Sequence, residues 1–239
     1  MAIKKARAYT IRAINYQESD LIVTLFGREE GKFAALAKGA RKTSSKFGAV
    51  FDLLNLSEVV YYEGSNLHFV SSAELLQAWE KLRREGVLID MGLQSAKLIN
   101  KLLEEDQPEP EAFQLFGNTL EMLTEGPDEP RVLYLGFYIK LLTILGLRPM
   151  LRVPEEPSSS ENRSGPSLYF SPSAGGVVPE KNEEQVIPIS DGLRKLLIKT
   201  LEFPQDKVCR LKAPRQTMDK GIQLMDKMVD FHLHPAGAE

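Results

Sequence analysis

Five cationic side chains, Lys32, Lys38, Arg41, Lys42 and Lys46, fall between Gly31 and Phe51 with no Asp or Glu among them. Lysine and arginine at this density hold phosphates, which gives affinity and salt dependence without reading sequence. Phe33 and Phe47 are interleaved with the charges, and Gly39 and Gly48 allow a backbone to come close to a phosphate. Lys32 and Phe33 are neighbours in an alternating run, so only one of them can enter a core. Phe33 is the better core residue and Phe47 the better stacking platform. The candidate nucleic-acid contacts are therefore Lys32, Lys38, Arg41, Lys42, Lys46 and Phe47.

Other chemistry finds less support. Gly27 to Lys32, GREEGK, lacks the spacing of a phosphate-binding P-loop, and Phe33 stands where that loop needs Ser or Thr. His232 and His234 could ligate a metal from an extended tail, but no third ligand has a defined spacing, and a solvated tail is the simpler reading. Glu104, Glu105 and Asp106 sit before prolines at a helix end, where solvated carboxylates are the default. Cys209 is the single cysteine, so the chain can form neither an internal disulfide nor an all-cysteine zinc site. With no nucleophile and base pair, the residues describe a binding protein and no enzyme.

The whole chain of 239 residues is slightly acidic, with a formal net charge of −3. Residues 1–70 nevertheless hold ten Lys/Arg against seven Asp/Glu, and the remainder twenty against twenty-six. Such an asymmetry assigns different partners to the two parts, a polyanion to the first and proteins to the second. Single-cysteine usage suits a reducing cytoplasm. No apolar run opens the chain as a signal peptide would, and the greasiest segment, Val132 to Leu147, contains Lys140 and is shorter than the roughly 20 residues of a membrane helix. It reads as a buried helix, and no membrane partner is expected.

The elements that must position the cations are strands. Arg7–Ile14, Leu21–Phe26, Lys32–Lys38, Leu56–Tyr62 and Leu67–Val70 are of strand length and separated by turn residues. Five strands in this space suit a small barrel, an OB-fold or an SH3-like one, between which periodicity does not choose. Near Ser72 the apolar period becomes helical: Leu88, Gly92, Ala96, Ile99 and Leu103 share one face, and Phe113, Phe116, Leu120 and Leu123 share another. Residues 151–188 interrupt this pattern with a Pro/Ser/Glu-rich loop and a hairpin turning at Gly175 and Gly176. Ser190 is then a candidate N-cap, and Met218, Ile222, Met225 and Val229 mark a final helix. The expected class is α+β: a barrel domain over 1–78 and a helical domain over 79–239 carrying a small inserted ribbon.

Taken in order, ESDLIVTLF, GKFAALAKGARK, KFGAVFDLLNLSEVVYY, SSAEL, FYIKLLTILGLRPML and YFSPSAGGVV resemble the RecO family of bacterial recombination mediators along nearly the whole chain. The resemblance implies an N-terminal OB-fold and a helical domain that together serve DNA repair and recombination. It also implies binding and annealing of single-stranded DNA, with duplex DNA a further ligand. RecR, the C-terminal tail of single-stranded-DNA-binding protein (SSB) and, indirectly, RecA are the implied partners, at the nucleoid in the bacterial cytoplasm. For the acidic, Phe-ended SSB tail, Arg131 and Arg148 flanking the Val132 to Leu147 segment are the candidate carboxylate partners. An OB-fold RNA-binding module and a non-catalytic interaction scaffold are the alternative readings.

The chain departs from the family in one respect. Many members carry two Cys-x-x-Cys pairs, whereas here Pro179 and Asn182 occupy the second pair's places and no cysteine lies between Leu151 and Glu156. Zinc and other cofactors are accordingly not expected, and the ribbon should be short, mobile or held by packing from Tyr169 and Phe170. Leu135, Gly136 and Tyr138 also stand where relatives often have charges.

Overall fold

A computed structural model describes residues 2–152, 168–179 and 185–233. Five strands, β1 (Ile3–Tyr16), β2 (Asp20–Gly27), β3 (Gly31–Ala37), β4 (Leu56–Tyr62) and β5 (His68–Gln77), close a barrel in the order β1-β2-β3-β5-β4. Closure comes from a short parallel pairing of β3 with β5, Ala35 to His68 and Leu36 to Phe69. This crossover is that of an OB-fold, and it settles the choice that alternation left open. Ala8, Val23, Leu25, Phe33, Ala35, Val59 and Tyr61 alternate inward and fill the barrel.

Two strands outrun their expected lengths. β1 pairs with β4 over Ile3 to Tyr9 and with β2 over Ala8 to Tyr16, with an irregularity at Thr10 to Arg12 that turns the strand from one partner to the next. β5 continues to Gln77 because Leu56 to Val60 of β4 supply hydrogen bonds, although consecutive Leu75 and Leu76 break the alternation that marks a strand in sequence.

Three helices follow: α1 (Glu80–Arg84), α2 (Gly86–Leu102) and α3 (Pro110–Glu125). They pack on the barrel as one compact unit ending at Gly126. Tyr9 meets Phe113 and Phe116 at ring separations of 5.0 Å each, and Phe26 meets Phe113 at 5.6 Å. The Trp79 indole N–H donates to the Leu54 carbonyl at 3.0 Å. A β-carbon at Gly92 would stand 2.8 Å from a Leu54 methyl, so this helix position has to lack one. The change of apolar period marks where helices begin, which differs from where packing ends.

The second unit begins at Pro127. Its helices are α4 (Pro130–Ile144), α5 (Asp191–Glu202), α6 (Gln205–Val208) and α7 (Arg215–Leu233). Val132 to Ile139 are all buried, as the charge-poor segment predicts, and no helix among the described residues is long and apolar enough to cross a membrane. Gly136 lies against Val208, and Gly221 of α7 against Leu135 and Leu197. The Tyr138 hydroxyl donates to Asp226 Oδ1 at 2.9 Å. Lys140, half-buried and with its pKa lowered by desolvation, donates to the Phe203 carbonyl at 2.6 Å beyond the end of α5. Ser190 is the expected N-cap, accepting from the Leu193 amide at 3.2 Å.

The ribbon consists of β6 (Tyr169–Ser171), β7 (Gly176–Val178) and β8 (Ile187–Pro188), in the order β7-β6-β8. Phe170 is fully buried, and the Val177 amide donates to the Met150 carbonyl at 2.7 Å. The loop expected over the remainder of 151–188 falls largely on residues outside those described.

Candidate nucleic-acid interface

The seventeen-residue interval from Lys38 to Leu54 leaves β3 and winds through consecutive turns, closed by Lys42 N–H to the Gly39 carbonyl (3.1 Å), Ser45 to Lys42 (2.8 Å) and Val50 to Phe47 (2.9 Å). Its apolar members Ala40, Phe47, Val50 and Phe51 turn inward and join the barrel core. These buried residues hold the segment down and leave its charges outside, where Lys38, Arg41, Lys42 and Lys46 are all exposed.

This loop is strapped to the β1–β2 turn. Asp20 Oδ1 accepts the Gly39 amide at 2.7 Å, the Arg41 amide donates to the Ser19 carbonyl at 2.9 Å, and the Arg41 guanidinium reaches the Glu18 carbonyl at 3.3 Å. Gly39 has φ +68°, a left-handed conformation that disfavours a side chain. Lys46 donates from Nζ to the Ser71 carbonyl and lies 5.0 Å over the Phe47 ring. Lys42 extends from the same turn with no ion pair among the described residues. Four positive charges thus share one rim on a fixed backbone, which suits a phosphate chain.

Two of the expected contacts belong elsewhere. Phe47 is 2% exposed and packs 5.4 Å from Phe51, so it is a core plug and presents no face to a base. Lys32 enters β3 at the opposite end of the barrel, and its Nζ donates to the Asn100 carbonyl at 3.0 Å, one of the unpaired carbonyls in the last turn of α2. Phe33, at 2% exposed, is core as its place in the alternation predicts. The aromatic ring at the cationic rim is Phe69, half-buried, with Lys38 Nζ 6.0 Å from its centroid. Only the pairing of Leu36 with Phe69 brings it there, and nothing near Lys38 in sequence announces it.

Arg131 and Arg148 are not brought together. They lie at opposite ends of α4, whose fifteen residues span about 22 Å at a rise of 1.5 Å per residue. Arg131 Nε is 3.5 Å from Asp219 Oδ1, and Arg148 is exposed. The apolar surface of α4 is buried, as the reading of a buried helix expects, with Leu135 and Gly136 among the buried residues.

The ribbon's described residues are held by hydrogen bonds and packing. Its turn is closed by hydroxyls: Ser171 and Ser173 Oγ lie 2.8 Å apart, and Ser171 Oγ accepts the Ala174 amide at 3.1 Å. Pro179 supplies no ligand, and no group of three His, Cys, Asp or Glu side chains among the described residues is placed to hold a metal. Asn182, His234 and residues 153–156 lie outside the described residues. Metal analysis of the purified protein is expected to find well under one zinc per chain; one equivalent would show that other ligands hold it.

Residues 1–79 match the family described as Recombination protein O N terminal, and residues 92–237 match Recombination protein O C terminal. The DNA repair protein RecO of Symbiobacterium thermophilum is 30% identical over 203 residues, covering 84% of this chain and 78% of that protein. The DNA repair protein RecO of Salinibacter ruber is 34% identical over 182 residues, covering 74% and 68%. That of Acetivibrio thermocellus is 30% identical over 196 residues, covering 81% and 77%. An OB-fold with a cationic rim, followed by helices and both matched in chain order, places this chain in the RecO family of DNA repair proteins.

Proposed function

We propose that this chain is a non-catalytic recombination mediator that binds single-stranded DNA on the cationic rim of its barrel and anneals complementary strands. Acting in the bacterial cytoplasm with RecR, it helps RecA load on SSB-coated DNA. The observation that carries the reading is the turn-built segment from Lys38 to Lys46, fixed by an apolar plug and by Asp20, with four cations outward. Held by its phosphates, a strand keeps its bases free to meet a complement. Neutralising two phosphate chains at once favours pairing without chemistry or nucleotide hydrolysis.

The test is a fluorescence titration of single-stranded DNA at several salt concentrations, repeated with SSB present. Four phosphate contacts on a single strand correspond to a slope of about −3 in log affinity against log salt, so raising salt from about 50 to 200 mM should weaken binding roughly fiftyfold. A preference for structured RNA would select the RNA-binding alternative, and absence of salt-dependent binding would select the scaffold.

For the SSB tail, the second unit offers a smaller pocket of about 350 Å³ between α5 and the segment before α7, with Leu193, Leu196 and Leu211 at its base and Lys195, Lys199 and Lys212 around it. Lys199 has no ion pair among the described residues, while Lys195 and Lys212 pair with Asp191 and Asp128 as Arg131 does with Asp219, so an acidic peptide ending in Phe would meet an apolar base with one unengaged ammonium group and two that exchange partners. Reversing Lys199 and Lys212 to Glu is expected to abolish binding of an SSB tail peptide and leave binding of free single-stranded DNA intact. Unchanged peptide binding would remove this pocket from consideration.

A further inference from the structure

The barrel end opposite the cationic rim is open and has the opposite character. A cavity of about 810 Å³ is lined there by Glu29, Glu30, Glu63 and Asp106, by Lys4, and by the rings of Phe33, Tyr61 and His68. The rings form one cluster: Phe33 stacks on Tyr61 at 5.0 Å and 27°, and His68 lies 5.0 Å from Tyr61 and 5.6 Å from Phe33. The Gly64 amide donates to His68 Nδ1 at 3.1 Å and fixes that ring.

Its charges are not balanced. Lys4 pairs with Glu63 at 2.6 Å, and Arg28 Nε stands 3.8 Å from Glu29, while Glu30 and Asp106 form no ion pair among the described residues. Both are held in place. The Asp106 amide donates to the Lys32 carbonyl at 2.9 Å, and the Glu30 carboxylate folds over Gly27 where any β-carbon would strike it. Gly31, at φ +73°, lies so close to the Gln107 carbonyl that a side chain there would separate the turn from the Asp106 segment.

Tyr61 supplies an independent sign of a missing ligand. It is 2% exposed, and its hydroxyl makes no hydrogen bond among the described residues although it faces the carboxylates of Glu30, Glu63 and Asp106. Burial first, then those three charges, push its pKa up to about 12, and burial raises that of Glu30. The hydroxyl keeps its residual exposure in the cavity that Tyr61 lines, so its donor and acceptor capacity is available to whatever the cavity holds. Excess negative potential in a partly dehydrated cavity with an aromatic wall calls for a cation that is weakly hydrated and rich in donors.

We propose that this cavity binds a guanidinium or alkylammonium group, supplied by a basic side chain of a partner protein or by a free polyamine. The cation would donate to Glu30, Asp106 and the Tyr61 oxygen. DNA is excluded by the same carboxylates, so this site and the cationic rim act independently, on two ends of one barrel.

The test uses NMR titration of the full ¹⁵N-labelled chain with acetyl-arginine amide, with spermidine, and with the neutral isostere acetyl-citrulline amide. Saturable shifts confined to the amides of residues 29–30, 61–65 and 106 are expected with the two cations and not with citrulline. Tighter binding of spermidine would identify a polyamine source, and tighter binding of the arginine amide a side chain. The Glu30→Gln/Asp106→Asn variant should bind about tenfold more weakly, and Tyr61→Phe, which keeps the ring packing, about threefold more weakly. Both variants should keep wild-type affinity for single-stranded DNA. Absence of saturable shifts, equal shifts with citrulline, or indifference to Glu30→Gln/Asp106→Asn would overturn the proposal.

Discussion

Replacing Lys38, Arg41, Lys42 and Lys46 together by Ala should remove most of the salt dependence of single-stranded DNA binding, flattening the slope by about 3 and lowering affinity about equally for unrelated sequences. The uniformity follows from the contacts, which are to phosphates and carry no base information. Single substitutions should divide the effect unequally. Lys42 has no ion pair among the described residues and should contribute close to its full share of about 0.7 in the slope. Lys46 already donates to the Ser71 carbonyl and must share or surrender that bond to meet a phosphate, so its share should be smaller. Lys32→Met is the internal control: its ammonium serves the end of α2 at the other end of β3, and the slope should not change. Filter binding or fluorescence anisotropy between about 50 and 200 mM salt reads all of these. Unchanged affinity of the fourfold variant at low salt would remove the rim as the DNA site.

Phe47→Ala is expected to act on stability and much less on DNA. A fully buried phenylalanine replaced by alanine costs about 3–5 kcal/mol, the removed transfer free energy plus that of the cavity left beside Phe51 and the barrel core. For a unit of this size the loss corresponds to a fall in Tm of roughly 15 °C. The protein provides its own reporter, because Trp79 is the single tryptophan, is buried, and donates to Leu54 at the end of the same loop. Its fluorescence should follow unfolding of the first unit. Phe47→Leu, which fills most of the volume, should recover much of the stability, and both variants should bind single-stranded DNA with the wild-type salt slope while folded. A stacking role would give the reverse pattern, with weakened binding at unchanged Tm for both.

Phe47 and Lys32 show how far the candidate site was legible. Both fall in the run from Gly31 to Phe51 that holds five cations and no acid, although Glu29 and Glu30 stand just before Lys32. Both leave the surface site for reasons carried by distant residues. Lys32 meets Asn100 because α2 ends beside the mouth of β3, and Phe47 turns inward because the barrel end needs a plug that no helix supplies. Phe69 enters for the converse reason, since a parallel pairing with Leu36 sets it beside Lys38. The Val132 to Leu147 segment is legible as buried, but its cover is not. Its apolar residues are the core of the second unit, and an apolar helix looks the same in sequence whether its cover is a partner or its own chain.

The sequence by itself determined what depends on neighbours along the chain. Alternation located the five strands, the 3.6-residue period located the long helices, Ser190 marked a cap, and the order of motifs carried the family. Tertiary structure alone decided what depends on closure: the crossover that makes the barrel an OB-fold, the end at which each cation emerges, the joining of α1 to α3 with the barrel, and the acidic cavity. Glu30, Tyr61 and Asp106 lie far apart in sequence, and an isolated carboxylate on a turn reads as solvated. Strand and helix periods are short-range preferences summed over neighbouring residues, whereas a site is an intersection of segments fixed by long-range pairing and packing.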